Sequence, residues 1–194
     1  AGETQGEDGW YAMCAPEDSN LWEYLPVYSG GNWWAGENNF QLGLLNRTTI
    51  HPGLYYDAVL AWEAPASGII TIQVPGGAVL NDSGSAPVSG DGVTFGIFYQ
   101  DDSGVQPVYP AEGMTYIANG TAMEIPEQTL AVQQGGLVLF RIGCGGNNYM
   151  DYDGTAMTPF ISYTEVSDAP AVSRSLLPLP PGEKYPVTCG ASVS

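Results

Sequence analysis

The sequence has 194 residues, of which 4 are Lys or Arg and 21 are Asp or Glu, so its formal net charge is −17 at pH 7. So few cations cannot neutralise many phosphates, which argues against nucleic acid and anionic lipid as partners and favours neutral or cationic ligands. Because 44% of the residues are hydrophobic and no run approaches the length of a membrane span, we expect a single domain over residues 1–194 without membrane insertion.

The first part of the chain, residues 1–45, is rich in aromatic residues and lacks clear strand alternation. Residues 16–25, PEDSNLWEYL, favour one helical turn with Asp18 or Ser19 as its cap and Leu21 and Leu25 on one side. The stretch that follows is predicted to form an extended loop or short edge strands. We therefore expect an irregular N-terminal segment ahead of a β-sandwich core over residues 46–166.

Short alternating runs separated by Pro and Gly fill the core. DAVLAWEAP at 57–65 and GIITIQV at 68–74 predict two strands joined as a hairpin, and GDGVTFGIFYQ at 90–100 predicts another. LVLFRIGC at 137–144 is nearly all apolar, which predicts a central strand buried on both faces. Roughly eight strands at this spacing predict an all-β protein, a jelly-roll β-sandwich of two antiparallel sheets. Residues 167–194 are expected to form an extended C-terminal arm.

Four segments in this order resemble a known family. They are HPG at 51–53, AVLAWEAPASGIITI at 58–72, GDGVTFGIF at 90–98 and LVLFRIGCGGNNYMDYDGTAMTPFISY at 137–163. The order resembles a jelly-roll module of secreted bacterial proteins that is similar to carbohydrate-binding modules attached to glycoside hydrolases and cell-surface proteins. The resemblance implies a secreted or cell-surface location and a carbohydrate ligand.

Catalytic patterns are weak in this sequence. His51 is the single histidine and lies in a Pro-Gly turn, and no nucleophile elbow accompanies it, which disfavours a Ser-His-Asp triad. Glycoside hydrolysis needs only two carboxylates at a fixed separation, which a sequence does not give. We therefore predict that the protein is not an enzyme, with a carboxylate-pair hydrolase left as the alternative. The candidate acids are Glu37, Glu63, Asp91, Asp151 and Asp153.

A Gly-rich segment after the apolar run offers hard oxygen ligands. Asn147, Asn148, Asp151 and Asp153 have the close spacing that Ca²⁺ accepts, so a structural calcium ion is one interpretation. An Asx-turn, in which these side chains bond to their own backbone, is the other.

The binding hypothesis depends on aromatic rings beside amides and carboxylates, because sugars pack their C–H faces on rings while their hydroxyls form hydrogen bonds. The preferred positions are Trp33 and Trp34 with Glu37 and Asn38, followed by Tyr55, Tyr56, Tyr149 and Tyr152. Adjacent residues of an extended segment point to opposite faces, so one of the two tryptophans should belong to the core. We predict a non-catalytic carbohydrate-binding module, with a protein-binding adhesion or scaffold module as the alternative, and expect a monomer.

Three cysteines, Cys14, Cys144 and Cys189, lack metal-site spacing. A bridge between Cys14 and Cys189 would leave Cys144 as a small buried apolar residue.

Overall fold

The computed structural model describes residues 3–17, 19–36, 44–46, 48–80, 91–145 and 153–167. Regular structure in these ranges consists of β-strands alone, and their pairing is antiparallel, which confirms the all-β prediction. In chain order the strands are β1 (Trp10–Pro16), β2 (Glu23–Tyr24), β3 (Val27–Ser29), β4 (Asn32–Trp34), β5 (Leu44–Leu45), β6 (Thr49–His51), β7 (Tyr56–Glu63), β8 (Gly68–Gln73), β9 (Ala78–Leu80), β10 (Val93–Asp101), β11 (Gly104–Tyr109), β12 (Thr115–Ile117), β13 (Ala122–Met123), β14 (Gln128–Val132), β15 (Leu137–Cys144), β16 (Thr155–Ala156) and β17 (Phe160–Val166).

These strands form three sheets. Sheet A has the order β11-β10-β15-β7-β1-β2, with β12 also paired to β10. Sheet B has the order β13-β9-β16-β6-β5-β4-β3 and consists of short strands, whereas sheet C has the order β14-β8-β17. Sheet A therefore contains the long strands β1, β7, β10 and β15 side by side.

The long strands of sheet A alternate between two buried faces. On β7, Ala58, Leu60 and Trp62 belong to one apolar cluster, while Val59 and Ala61 belong to another. The predicted central strand is confirmed, because β15 pairs with both β10 and β7 and is buried from Leu137 to Gly143.

The main core fills the space between the inner face of sheet A and the other two sheets. Sheet A contributes its largest side chains here, and sheets B and C contribute β-branched residues that suit a pleated surface. Its most completely buried members include Phe95, Ile97, Tyr99, Phe140, Ile142, Ile50, Ile70 and Ile72.

Two local predictions were wrong. β7 and β8 do not form a hairpin, because both edges of β7 are already paired with β1 and β15, and β8 joins sheet C instead. The helical turn within residues 16–25 is also absent from the described residues there. Glu23 and Tyr24 pair with β1, so Leu25 is buried at 0% exposure while Leu21 is 72% exposed.

The expectation of an irregular N-terminal segment does not describe residues 10–16. β1 lies inside sheet A, where Ala12, Cys14 and Ala15 are fully buried. These small side chains let β1 pack tightly between β7 and β2, but they produce a weak hydrophobic alternation in the sequence.

The cysteines divide between two states. Cys14 on β1 is disulfide-bonded, and Cys144 on β15 has a free thiol that donates to the carbonyl of Gly53 at 3.1 Å. Cys189 lies outside the described residues. Across the described ranges, the structure contains no helix with the length and apolarity needed to traverse a bilayer.

Candidate functional site

Sheet A has a second apolar cluster on the face turned away from the main core, which we call the outer face. Its buried centre comes from four neighbouring strands and consists of Met13, Ala15, Val59, Ala61, Phe98, Leu137 and Leu139. Partly buried side chains pack around this centre, and three of them are the rings of Tyr11, Trp22 and Tyr24. The outer face therefore combines a rigid apolar floor with accessible aromatic groups.

Tyr11 and Tyr24 form a pair of rings at one edge of the outer face. Their centroids are 5.5 Å apart with an interplanar angle of 34°, and the Tyr11 hydroxyl donates to Oε2 of Glu63 at 2.8 Å. Burial, followed by the hydrogen bond to Glu63 and its charge, raises the pKa of Tyr11 to about 12. Tyr11 is consequently a neutral hydrogen-bond donor at physiological pH.

Trp22 lies over the middle of the outer face. Its indole Nε1–H donates to Oε1 of Gln100 on β10, and Cζ of Arg141 on β15 lies 5.5 Å from the centroid of the ring. Both partners belong to strands that are separated from β2 by β7 and β1, so the side chain of Trp22 reaches across the sheet. Because Arg141 is only 6% exposed and Trp22 is partly exposed, the guanidinium lies between the ring and the sheet.

Arg141 and Asp57 form a buried ion pair beneath Trp22. The guanidinium Nε donates to Oδ2 of Asp57, and Nη1 donates to Oδ1 of Asn20 at 3.5 Å. Removing two charges from water is unfavourable unless they are paired and hydrogen-bonded. The pair therefore fixes the position of both side chains.

Small and polar residues lie next to this pair. A Cβ atom at Gly143 would come within 2.6 Å of Oδ1 of Asp57 and 2.7 Å of Oγ1 of Thr94, so glycine is required where these oxygens approach the backbone. Thr94 lies opposite Tyr116 on β12, whose ring is 56% exposed and whose hydroxyl donates to the carbonyl of Asp91 at 2.8 Å. Tyr116 thus adds an exposed ring to the outer face.

The same end of sheet A gathers negative charge around Cys144. Burial raises the pKa of the Cys144 thiol to about 12, and the neighbouring carboxylates of Asp153, Asp57, Asp91 and Glu17 raise it in that order. Such a thiol is protonated and unreactive at neutral pH. The end of the sheet is therefore acidic.

The two tryptophans that the sequence favoured lie in sheet B. Trp33 is 7% exposed, belongs to the main core and packs against Tyr28 with centroids 5.2 Å apart, so its ring does not face solvent as a binding surface requires. Trp34 is partly exposed and donates its indole N–H to the carbonyl of Ser29 at 3.0 Å. Glu37 and Asn38 lie outside the described residues.

The tyrosine candidates have different environments. Tyr55 is 70% exposed in the turn before β7, whereas Tyr56 is 7% exposed and belongs to the main core, where burial raises the pKa of its hydroxyl. The buried position of Tyr56 removes it as an accessible ring. Tyr149 and Tyr152 lie outside the described residues.

Of the four predicted calcium ligands, Asp153 alone lies within the described residues. Its side chain is fully buried, at 0% exposure. The described part of the chain contains no group of three His, Cys, Asp or Glu side chains that could hold a metal ion. Asn147, Asn148 and Asp151 lie outside it, so the calcium site stays a prediction.

The sequence analysis did not single out Trp22, Tyr24, Tyr116 or Arg141. Trp22 and Tyr24 were assigned to a helical turn, and Arg141 was included in an apolar run. A single Arg within LVLFRIGC was the available signal, because a cation in a buried strand requires an acidic partner.

No protein-family model matches this chain, and no curated protein matches it. Among solved structures, the chain is similar to the enzymatically active domain of bacteriophage CBA120 tailspike protein 4, with a TM-score of 0.36 and 11% sequence identity. The similarity covers 84% of this chain and 21% of that chain. At this TM-score the likeness carries no argument about substrate or reaction.

The prediction that the protein is not an enzyme is corrected here. The similar solved structure is described as an enzymatically active domain, so enzymatic activity is no longer excluded.

Proposed function

We propose that the protein recognises a glycan on the outer face of sheet A. The observation that carries this proposal is the position of Trp22 and Tyr116, two accessible rings on one sheet face, with Thr94 beside Tyr116 and the Arg141–Asp57 pair beneath Trp22.

The chemistry of the outer face suits a sugar. Flat aromatic surfaces pack against the C–H faces of a pyranose, and amide, carboxylate and hydroxyl groups bond to its hydroxyls. Gln100 and Arg141 hold Trp22 from its edge and from beneath. A ring that is already fixed loses little conformational entropy when the ligand binds.

Charge narrows the ligand class. The chain has a formal net charge of −17, and the guanidinium of Arg141 on the outer face is already paired with Asp57. The net negative charge of the protein would repel an anionic polysaccharide, and the guanidinium of Arg141 is already engaged by Asp57. The preferred ligand is therefore a neutral or amine-bearing glycan.

Two more specific predictions, the jelly-roll fold and the cellular location, belong to the same proposal. The neighbours β7-β15-β10 in sheet A and β8-β14 in sheet C support a jelly-roll-like sandwich, which is the fold that the sequence resemblance implied. A secreted or cell-surface bacterial setting is proposed from that resemblance.

Affinity electrophoresis against a polysaccharide panel, followed by titration calorimetry, tests the proposal. We expect at least one neutral glycan to retard the protein, and Trp22→Ala and Tyr116→Ala each to weaken binding by about 0.5–1.5 kcal/mol, the range for an aromatic contact beyond its buried area. Phe160→Ala is the matched control, because Phe160 is 58% exposed on sheet C and should not affect binding.

Further variants separate the alternatives. Loss of binding in Trp34→Ala or Tyr55→Ala, with Trp22→Ala unchanged, would move the site to the positions favoured by the sequence. A protein that binds no glycan but captures a protein ligand would support the adhesion alternative. Release of reducing ends from a bound glycan would reveal hydrolysis, which substitution of one of the two carboxylates should abolish.

A further inference from the structure

We propose that Arg141 is a positioning residue of the glycan site, whose guanidinium, fixed by Asp57, holds the ring of Trp22 in its binding orientation. This inference rests on the proposed function, because it takes Trp22 as a ring that the sugar covers.

The backbone near Trp22 has little support from the sheet. β2 pairs with β1 through two residue pairs, Met13 with Tyr24 and Cys14 with Glu23, and Trp22 precedes both. The orientation of the ring therefore depends on the contacts of its side chain. Beside its packing against the apolar cluster of the outer face, the ring has two such contacts, the hydrogen bond to Gln100 at the edge of the indole and the guanidinium of Arg141 beneath it.

The geometry requires arginine in particular. Nε of Arg141 bonds to Asp57 and Nη1 bonds to Asn20, so the hydrogen bonds in the guanidinium plane orient the group while its carbon lies 5.5 Å from the indole centroid. A planar guanidinium can stack on a ring while its edge donates hydrogen bonds, whereas a lysine ammonium is a compact charge without a plane. Arg141→Lys keeps a cation beside Asp57 and removes the surface that supports Trp22.

The indole N–H signals of a ¹H–¹⁵N spectrum report the environment of the Trp22 ring directly. The chain has 5 tryptophans, and Trp22→Phe identifies the Trp22 resonance. We expect Arg141→Lys to shift this resonance and speed its exchange with solvent, and to weaken binding of the neutral glycan found in the panel about tenfold. Gln100→Leu, which leaves the Arg141–Asp57 pair intact, should shift the same resonance and weaken binding by a smaller factor.

Leu130→Ala on sheet C is the control for general destabilisation, because Leu130 packs against the main core, whereas Trp22 packs on the outer face of sheet A. It should lower the melting temperature and leave both the Trp22 resonance and the affinity unchanged.

Two results overturn the inference. One is an unchanged Trp22 resonance in Arg141→Lys, and a weakened affinity alongside it would mean that Arg141 contacts the sugar itself. The other is an unchanged affinity. If the wild-type protein binds no glycan, the proposed function fails, and the resonance still decides whether Arg141 holds the ring.

Discussion

At the scale of single residues, the outer face depends on one buried ion pair. Arg141 and Asp57 lie on adjacent strands with their charged groups in contact, at 6% and 7% exposure. Sequence alternation could assign Arg141 to a buried strand, but it could not identify the partner, because Asp57 is 84 residues away along the chain. Long-range partners of this kind follow from strand order, which the sequence did not specify.

Removing the acid of this pair should destabilise the protein strongly. Asp57→Asn leaves the guanidinium buried without its counter-charge, and we expect a loss of about 3–5 kcal/mol in the free energy of unfolding, measured by urea denaturation. Glu63→Gln is the control, since Glu63 accepts one hydrogen bond from Tyr11 and is less buried. A difference below about 0.5 kcal/mol between the two variants would contradict the buried-pair interpretation.

The thiol of Cys144 gives a pH dependence whose sign is fixed by its environment. Its pKa rises from 9.0 to about 12 on folding. The unfolded chain therefore loses the proton first, so the stabilising effect is complete below pH 9 and is lost as the pH rises toward 12.

Alkaline unfolding measured by circular dichroism checks this prediction. Cys144→Ala should make the fall in stability between pH 9 and 12 less steep. Tyr11→Phe provides a comparison, because the Tyr11 hydroxyl ionises in a similar upper range. An unchanged slope in Cys144→Ala would show that the thiol does not contribute.

At the scale of strands, period-two alternation predicted the long strands well and the short ones poorly. β7, β10 and β15 were recognised because the alternate residues that face the main core are apolar along most of each strand. β1 was missed because three of its four buried side chains, those of Ala12, Cys14 and Ala15, are small. The strands of sheet B are two or three residues long, too short for alternation to be visible.

The pairing of β8 with β17 requires a glycine. A Cβ atom at Gly68 would lie 2.1 Å from the backbone oxygen of Glu165, next to an irregularity in the register of β17 between Tyr163 and Glu165. We expect Gly68→Ala to separate the strand ends and to reduce the free energy of unfolding by about 1–3 kcal/mol.

Gly36→Ala is the matched control for this substitution, because a Cβ atom there would meet no heavy atom within 4 Å. Chemical denaturation of both variants gives the comparison. Equal stability of Gly68→Ala and Gly36→Ala would be inconsistent with the close approach of β17.

At the scale of the whole molecule, the formal net charge of −17 should decide which class of glycan binds more than the strand arrangement does. Repulsion between exposed charges weakens with added salt, because the screening length falls to about 10 Å at 0.1 M ionic strength. We expect neutral glycans to bind with little salt dependence and polyuronates to be excluded at low salt. Calorimetry at two ionic strengths checks this, and tight binding of a polyuronate would contradict it.

The location of glycan contact is best tested by chemical-shift mapping, in which a neutral glycan is titrated into ¹⁵N-labelled protein. We expect the largest changes at the indole of Trp22, at Tyr116 and at outer-face residues of β10 and β15, with small changes in sheet C. Changes confined to Trp34 or to Tyr55, or no changes at any glycan concentration, would show that the outer face of sheet A is not a glycan site.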